Sequence, residues 1–66
     1  MPIEINSTTE LLTVSEVATL LNISESGVRR LIDKRLIPFF KVMGSVRFEK
    51  RDILAYLEDN RVEAIG

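Results

Sequence analysis

Two helix-start signals lie so close together in this sequence that only one short helix and a two-residue connection fit between them. Thr13 and Glu16 have the spacing of a capping box, in which each side chain accepts a hydrogen bond from a free amide at the start of a helix. Ser24 is a second N-cap residue, and Asn22 just before it tolerates the left-handed conformation that closes many helices. The sequence therefore predicts two short helices joined by Asn22 and Ile23, which forces a sharp corner between them.

Apolar side chains recur at helical spacing in both segments. The two predicted stripes are Val17, Leu20 and Leu21 in the first helix and Val28, Leu31 and Ile32 in the second. The opposite face of the second helix is polar and charged, and its residues are Glu25, Ser26, Arg29, Arg30 and Asp33. Each helix is therefore expected to present one apolar face to a shared core.

A β-hairpin is predicted after the second helix. Pro38 prevents that helix from continuing, because proline has no amide hydrogen to donate and disfavours helical geometry in the residue before it. β-prone runs cover residues 39–43 and 46–48 on either side of Gly44 and Ser45, and glycine first in a two-residue loop suits a type II′ turn. The pairs on that register are Lys41 with Phe48 and Val42 with Arg47. The sequence leaves a register shifted by one residue open.

The last predicted element is a third helix that opens around residues 49–52 and ends near Asp59. Its apolar stripe consists of Ile53, Leu54 and Leu57, with Tyr56 beside them. Lys50 and Arg51 stand at its start, where the helix dipole disfavours a cation by roughly 0.3–1 kcal/mol. Free amides and two cations together suit a phosphate, although the same charges also suit a solvated surface.

One small domain accounts for this pattern. Residues 11–59 carry every predicted element, so we expect a single domain that is mainly α with a small β-hairpin. A flexible polar leader at 1–10 and a C-terminal tail at 60–66 are expected to flank it. With 66 residues and no cysteine, stability has to come from the packing of apolar side chains, which are abundant enough at 45% of the chain.

Composition excludes several kinds of chemistry. The chain has no histidine and no cysteine, so it cannot form an N/S zinc site or a His-activated nucleophile. We expect no metal, no cofactor and no small-molecule ligand. Catalysis would have to use acidic residues such as Glu49 and Asp52, which a strand end and a helix start explain better, so no enzyme is expected. No apolar run approaches the ~20 residues of a membrane span and no signal-peptide pattern is present, which predicts a cytoplasmic protein.

Positive charge is concentrated in the middle of the chain. Residues 29–51 contain eight Lys and Arg against two acidic residues, a net charge of +6, while the rest of the chain carries −7. A folded face that gathers the basic block can neutralise phosphates although the whole chain is slightly anionic, because salt screens exposed charges beyond roughly 8 Å. The alternative is a charged surface that only keeps the protein soluble.

The order helix, tight turn, helix, hairpin, helix is accompanied by several specific phrases. These are LTVSEVA at 12–18 with Leu20-Leu21, Ile23-Ser24, VRRLI at 28–32, Leu36-Ile37-Pro38, Lys41-Val42, Gly44, Arg47-Phe48, Asp52-Ile53 and Tyr56-Leu57. Over residues 11–58 this ordered set resembles the excisionase and MerR-type family of small winged helix-turn-helix proteins. Three residues depart from that pattern: Gly27, where threonine is frequent, and Arg35 and Met43, where glycine is common.

The resemblance implies a winged helix-turn-helix fold and sequence-selective binding to double-stranded DNA, with the second helix in the major groove and the hairpin wing at an adjacent minor groove. The candidate contacts are Ser24, Glu25, Ser26, Arg29 and Arg30 on the recognition helix, Lys41, Ser45 and Arg47 on the wing, and Lys34, Lys50 and Arg51 for phosphates. A guanidinium can grip guanine O6 and N7 or a phosphate with two hydrogen bonds. One of the two adjacent arginines of the helix is therefore expected to read a base, and the sequence leaves open which.

The sequence leaves several roles open. One is an excisionase-like recombination directionality factor that bends DNA beside an integrase, and another is a small transcriptional regulator on the same fold. A single module covers only about 600–1,000 Å² on DNA, so a recombinase or further copies of the chain are expected partners. A role of another class is a protein-interaction adaptor that docks through Leu36, Phe39 and Phe40 without touching DNA.

Overall fold

The computed structural model describes residues 10–64, and its elements follow the predicted order with one addition. They are β1 (Leu11–Leu12), α1 (Val14–Leu21), α2 (Glu25–Asp33), β2 (Phe40–Val42), β3 (Ser45–Glu49) and α3 (Lys50–Asp59). The three strands form one antiparallel sheet in the order β1-β3-β2. This is the predicted winged helix-turn-helix fold. The predicted leader, apart from Glu10, and the last two residues of the predicted tail lie outside the described residues.

The corner between α1 and α2 is held by the predicted caps. Thr13 Oγ1 accepts from the amide of Glu16 at 3.1 Å, and Glu16 Oε1 accepts from the amide of Thr13 at 2.8 Å. Asn22 closes α1 in the left-handed conformation with φ 58°, and Ser24 Oγ accepts from the amide of Gly27 at 3.1 Å to start α2. Both helix starts and the closure of α1 are therefore confirmed.

The end of α2 is set by a backbone closure that comes before Pro38. Arg35 adopts φ 57°. The amides of Arg35 and Leu36 donate to the carbonyls of Ile32 and Leu31, each at 2.9 Å. These two bonds form a Schellman motif, in which glycine usually occupies the left-handed position. Arg35 instead holds a conformation that costs a residue with a Cβ roughly 1–2 kcal/mol.

The hairpin is confirmed, but its predicted turn and register are wrong. Met43 and Gly44 form the turn with φ 50° and 83°, and two successive positive φ values define type I′ rather than type II′. The observed pairs are Phe40 with Arg47, Lys41 with Val46 and Val42 with Ser45. Type I′ turns favour asparagine or glycine first, so a methionine there gave no signal. Because each partner moved by two residues, every strand residue keeps its predicted face.

The sequence pattern did not predict β1. This strand pairs with β3, with Leu11 opposite Glu49 and Leu12 opposite Phe48. The amide of Lys50 donates to the carbonyl of Glu10 at 2.8 Å and extends the contact. A strand of two residues is too short to show the alternation by which strands are recognised. It covers one edge of β3 and ties the chain before α1 to the sheet.

The core lies where the inner face of the sheet meets the helices. Its buried residues are Leu12, Val17, Ala18, Val28, Ile37, Phe48 and Ile53. Phe48 is wholly buried and comes from the central strand, so it is the largest side chain at the centre of the domain. Within residues 10–64, none of the helices has the length and apolar character needed to cross a membrane.

The predicted apolar stripe of α3 is wrong in part. Ile53 is fully buried and Tyr56 packs partly against the core. Leu54 and Leu57 are instead 47% and 41% exposed. A helix of 10 residues that contacts mainly β3 buries only a narrow face, so the flanking leucines stay at the surface. Leu20, predicted in the stripe of α1, is also exposed.

Candidate nucleic-acid interface

Helix α2 presents a polar face on the side opposite its buried stripe. Val28 is fully buried on the core side. Successive residues lie about 100° apart around a helix, so Ser26 and Arg30 point away from the core while Arg29 is turned to one flank. All three are exposed. This face is therefore available to a partner outside the protein.

The start of α2 adds hydrogen-bond donors to that face. Ser24 Oγ accepts from the amide of Gly27, which leaves the hydroxyl hydrogen of Ser24 for an outside acceptor. The amides of Glu25 and Ser26 have no intrahelical partner, as is general in the first turn of a helix. Glu25 is exposed in that turn, where the helix dipole favours its carboxylate.

A cleft of about 360 Å³ separates α2 from the hairpin. Its lining residues are Arg29, Ile32 and Asp33 from α2, and Phe39, Lys41 and Val46 from the hairpin and the residue before it. The apolar members pack against the core and form the floor. Arg29, Asp33 and Lys41 are exposed at the rim. The cleft thus places two cations and one carboxylate around an opening that faces solvent.

The two adjacent arginines of α2 diverge. Arg29 lines the cleft beside the hairpin. Arg30 lies on the other flank, along an apolar hollow of about 330 Å³ that includes Tyr56 and Leu57 of α3. The two guanidinium groups therefore do not share one position, and a ligand that lies along α2 would meet them at different points.

Gly27 in the same hollow packs closely against Ile23. A Cβ at this position would lie 3.2 Å from Cδ1 of Ile23, which is closer than ordinary van der Waals contact. Glycine therefore lets Ile23 lie directly over the first turn of α2. A residue with a Cβ at this position would require the side chain of Ile23 to move by a few tenths of an ångström.

Lys41 and Arg47 occupy opposite faces of the hairpin. Val46 pairs with Lys41 and precedes Arg47, and successive strand residues point to opposite faces. Lys41 is exposed on the cleft side, whereas Arg47 is partly buried and donates from Nη1 to the carbonyl of Val46 at 2.7 Å. Ser45 is exposed next to the turn, paired with Val42. Lys41 is therefore the less engaged of the two wing cations.

The cations at the start of α3 have carboxylate partners. Lys50 Nζ lies 3.9 Å from Glu10 Oε1. Arg51 Nη2 lies 2.5 Å from Glu49 Oε2, although without the alignment of a hydrogen bond. The first amide of the helix also donates to the carbonyl of Glu10. The two candidate phosphate contacts here are therefore partly neutralised within the protein, which their sequence positions did not indicate.

Six cations have no carboxylate within 4 Å in the described part of the chain. They are Arg29, Arg30, Lys34, Arg35, Lys41 and Arg47. All six belong to α2, its closing turn and the hairpin, whereas the ion pairs lie around the start and the end of α3. We call these six residues the unpaired basic set. Arg35 was not among the predicted contacts, and its left-handed backbone agrees with the glycine that is common at its position in the family that the sequence resembles.

Comparison with known families covers the same elements. Residues 11–61, more than half of the chain, match a family model described as a helix-turn-helix domain. The matched stretch begins with β1 and runs past the end of α3. The comparisons with curated proteins and with solved structures each found no match. The family match therefore concerns the whole of the fold described above.

Proposed function

The chain belongs to this helix-turn-helix domain family, which indicates DNA binding, and we propose that it binds double-stranded DNA sequence-selectively. In the proposed complex α2 lies in the major groove and the hairpin reaches the adjacent minor groove. The observation that carries the proposal is the unpaired basic set, whose members come from α2, its closing turn and the hairpin. Cations that have no carboxylate partner among residues 10–64 can neutralise DNA phosphates and release the counterions of the duplex, a term that dominates affinity for DNA.

The cleft between α2 and the hairpin suits one phosphate strand. A strand of the duplex separates each major groove from the neighbouring minor groove, so a helix in one and a wing in the other must straddle it. Arg29 and Lys41 stand on the two sides of the cleft and supply donors from both. The carboxylate of Asp33 at the same rim repels a phosphate and lowers the affinity for DNA. We therefore assign Arg29 and Lys41 to the phosphates.

We assign recognition of the bases to the outward face of α2. Arg30 and Ser26 point away from the core, and Arg30 stands on the flank away from the phosphate cleft. A guanidinium in the major groove makes two hydrogen bonds to guanine O6 and N7, worth about 1–3 kcal/mol of discrimination. Arg30 is accordingly the residue to which we assign recognition of a base pair, with Glu25 available to accept from a cytosine amino group.

The remaining contacts fix the register of the protein on the duplex. The hydroxyl of Ser24, the exposed Lys34 at the end of α2 and Ser45 near the turn suit neighbouring phosphates. Lys50 and Arg51 are assigned a smaller share, because each would first leave its carboxylate partner. Exposed ion pairs are worth only about 0–1 kcal/mol, so such an exchange is feasible on DNA.

We propose that the biological role is that of an excisionase-like architectural factor. The phrases that resemble the excisionase and MerR-type family support this role, and a small transcriptional regulator is the alternative on the same fold. One module covers only about 600–1,000 Å² of DNA surface, so further copies on neighbouring sites or a recombinase would complete the assembly. Stimulated excision with a cognate recombinase would support the first role, and promoter occupancy without effect on excision would support the second.

Selection from random duplexes followed by a salt titration tests DNA binding itself. Each neutralised phosphate adds about 0.9 to the slope of log affinity against log salt, so five contacts predict a slope of about −4 to −5. A flat titration, or no retention of any duplex at low salt, would contradict the proposal. That result would favour the protein-interaction adaptor, which would dock through exposed apolar residues such as Leu36 and Phe40.

Two substitutions separate base reading from phosphate contact. Arg30→Ala should weaken binding and relax the preference at one base pair, whereas Lys41→Ala should lower affinity for all sequences and reduce the salt slope by about 1. Arg61→Ala is the matched control, because Arg61 follows α3 and lies within 4 Å of Glu58 in that helix and of Glu63. Equal losses on every sequence for Arg30→Ala and Lys41→Ala would contradict the assignment of Arg30.

A further inference from the structure

The tip of the hairpin carries an apolar side chain that the fold does not use. Met43 is 100% exposed, so its side chain buries nothing. Its backbone has φ 50° in the type I′ turn, a position where asparagine, aspartate or glycine is favoured. A residue with a Cβ pays roughly 1–2 kcal/mol for left-handed geometry. Met43 therefore costs stability and gains no contact, and such strain indicates a function outside the folded core.

The shape of the tip fits a narrow groove. The minor groove of B-DNA is about 6 Å wide, and a hairpin with side chains on both faces is about 10 Å thick, so only its tip can enter the groove. Gly44 has no side chain, and a Cβ built there would meet nothing within 4 Å. Met43 therefore supplies the apolar side chain at the end of the hairpin that would enter the groove first.

The charges behind the tip are placed for the two walls of that groove. Lys41 and Arg47 come from the two strands of the hairpin and lie on its opposite faces, Lys41 exposed and Arg47 partly buried with Nη1 donating to the carbonyl of Val46. Neither has a carboxylate within 4 Å among residues 10–64. Phosphates line both edges of the minor groove, so a hairpin with one cation on each face and an apolar tip is complementary to it.

We propose that Met43 is a wedge that inserts between two base pairs from the minor groove and kinks the duplex. This inference rests on the proposed DNA binding and adds a residue and a mode of deformation to it. Apolar wedges that partly unstack a base step bend DNA by about 20–90° toward the major groove. Pyrimidine–purine steps such as TA and CA unstack most easily, so the site bound by the wing should contain one. The tip thus selects sequence through deformability.

The test uses the full chain and a duplex that carries the site selected from random DNA. Energy transfer between dyes at the duplex ends measures the bend, and 2-aminopurine at the step beneath the wing reports unstacking as increased fluorescence. Wild type should bend the duplex and raise the fluorescence. Met43→Asn should still bind but lose both signals, and Met43→Leu should keep both because leucine is also a wedge residue. Asparagine suits the turn, so Met43→Asn should melt no lower than wild type.

Val62→Asn is the matched control, because Val62 is 91% exposed but lies beyond α3. It should bend the duplex as wild type does. Wild-type binding without a bend, or Met43→Asn with an unchanged bend and fluorescence, would overturn the wedge and leave DNA binding intact. Loss of the bend in Val62→Asn would also overturn it. Absence of binding by wild type would instead contradict the proposed function itself.

Discussion

Arg35→Gly is expected to stabilise the fold although it removes a surface cation. Arg35 holds φ 57° where α2 closes, a geometry that costs a residue with a Cβ roughly 1–2 kcal/mol. Glycine removes that cost. It also gives the unfolded chain more conformational freedom, which lowers the gain in the free energy of unfolding by about 0.5–1 kcal/mol. Arg35 forms no ion pair with any residue from 10 to 64, so no partner is lost. The net gain in the free energy of unfolding should be about 0.5–1 kcal/mol.

Thermal and urea unfolding followed by circular dichroism measure this gain. In a domain of this size 1 kcal/mol corresponds to about 4–8 °C, so the Tm of Arg35→Gly should rise by about 2–8 °C. Arg35→Ala is the matched control, because it removes the same guanidinium but keeps the Cβ. Its Tm should stay close to that of wild type.

Two results would refute the reasoning. An equal rise in Tm for Arg35→Ala would mean that the gain comes from removing charge near Lys34 rather than from the backbone. A lower Tm for Arg35→Gly would mean that the left-handed closure carries no strain. DNA binding is an independent measurement. Both variants lose one cation, so each should reduce the slope of log affinity against log salt by the same amount, up to about 0.9.

Three further substitutions test the caps, the cleft and the core. Thr13→Ala should lower the free energy of unfolding in urea by about 1 kcal/mol, and unchanged stability would mean that the capping box contributes nothing. Asp33→Asn should raise DNA affinity in a salt titration, since it removes the carboxylate from the rim of the cleft, and an unchanged affinity would place the phosphate elsewhere. Phe48→Ala should abolish cooperative melting, because a loss of about 3–5 kcal/mol is comparable with the whole stability of a small domain. A cooperative transition near the wild-type Tm would contradict the central position of Phe48.

Local signals predicted the helices well because their partners are near in sequence. The side chains of Thr13 and Ser24 bond to amides three residues away, so residue type and spacing suffice to place the caps. The closing conformation of Asn22 likewise depends on its own backbone. The helix-turn-helix corner follows from these contacts between neighbouring residues and is therefore predictable from the sequence.

The sheet could not be placed in the same way, because strand pairing joins distant residues. Leu12 pairs with Phe48 across most of the chain, and nothing in a two-residue strand indicates its partner. The turn at Met43 and Gly44 could not be placed either, because the predicted and observed registers put the same residues on each face and methionine is a poor signal for a left-handed position. The extent of the α3 stripe was also undetermined, because burial of Leu54 depends on what packs beside it.

The candidate site likewise has features that the sequence predicts and features that only the tertiary structure decides. The order of residues is enough to define the helix-turn-helix corner and the concentration of positive charge at residues 29–51. Which of those charges are free follows from the folded arrangement, because β1 brings Glu10 to Lys50 and the cleft brings Lys41 to Arg29. Electrostatic energy depends on distance in space, and the sequence fixes that distance only for residues that are near neighbours along the chain.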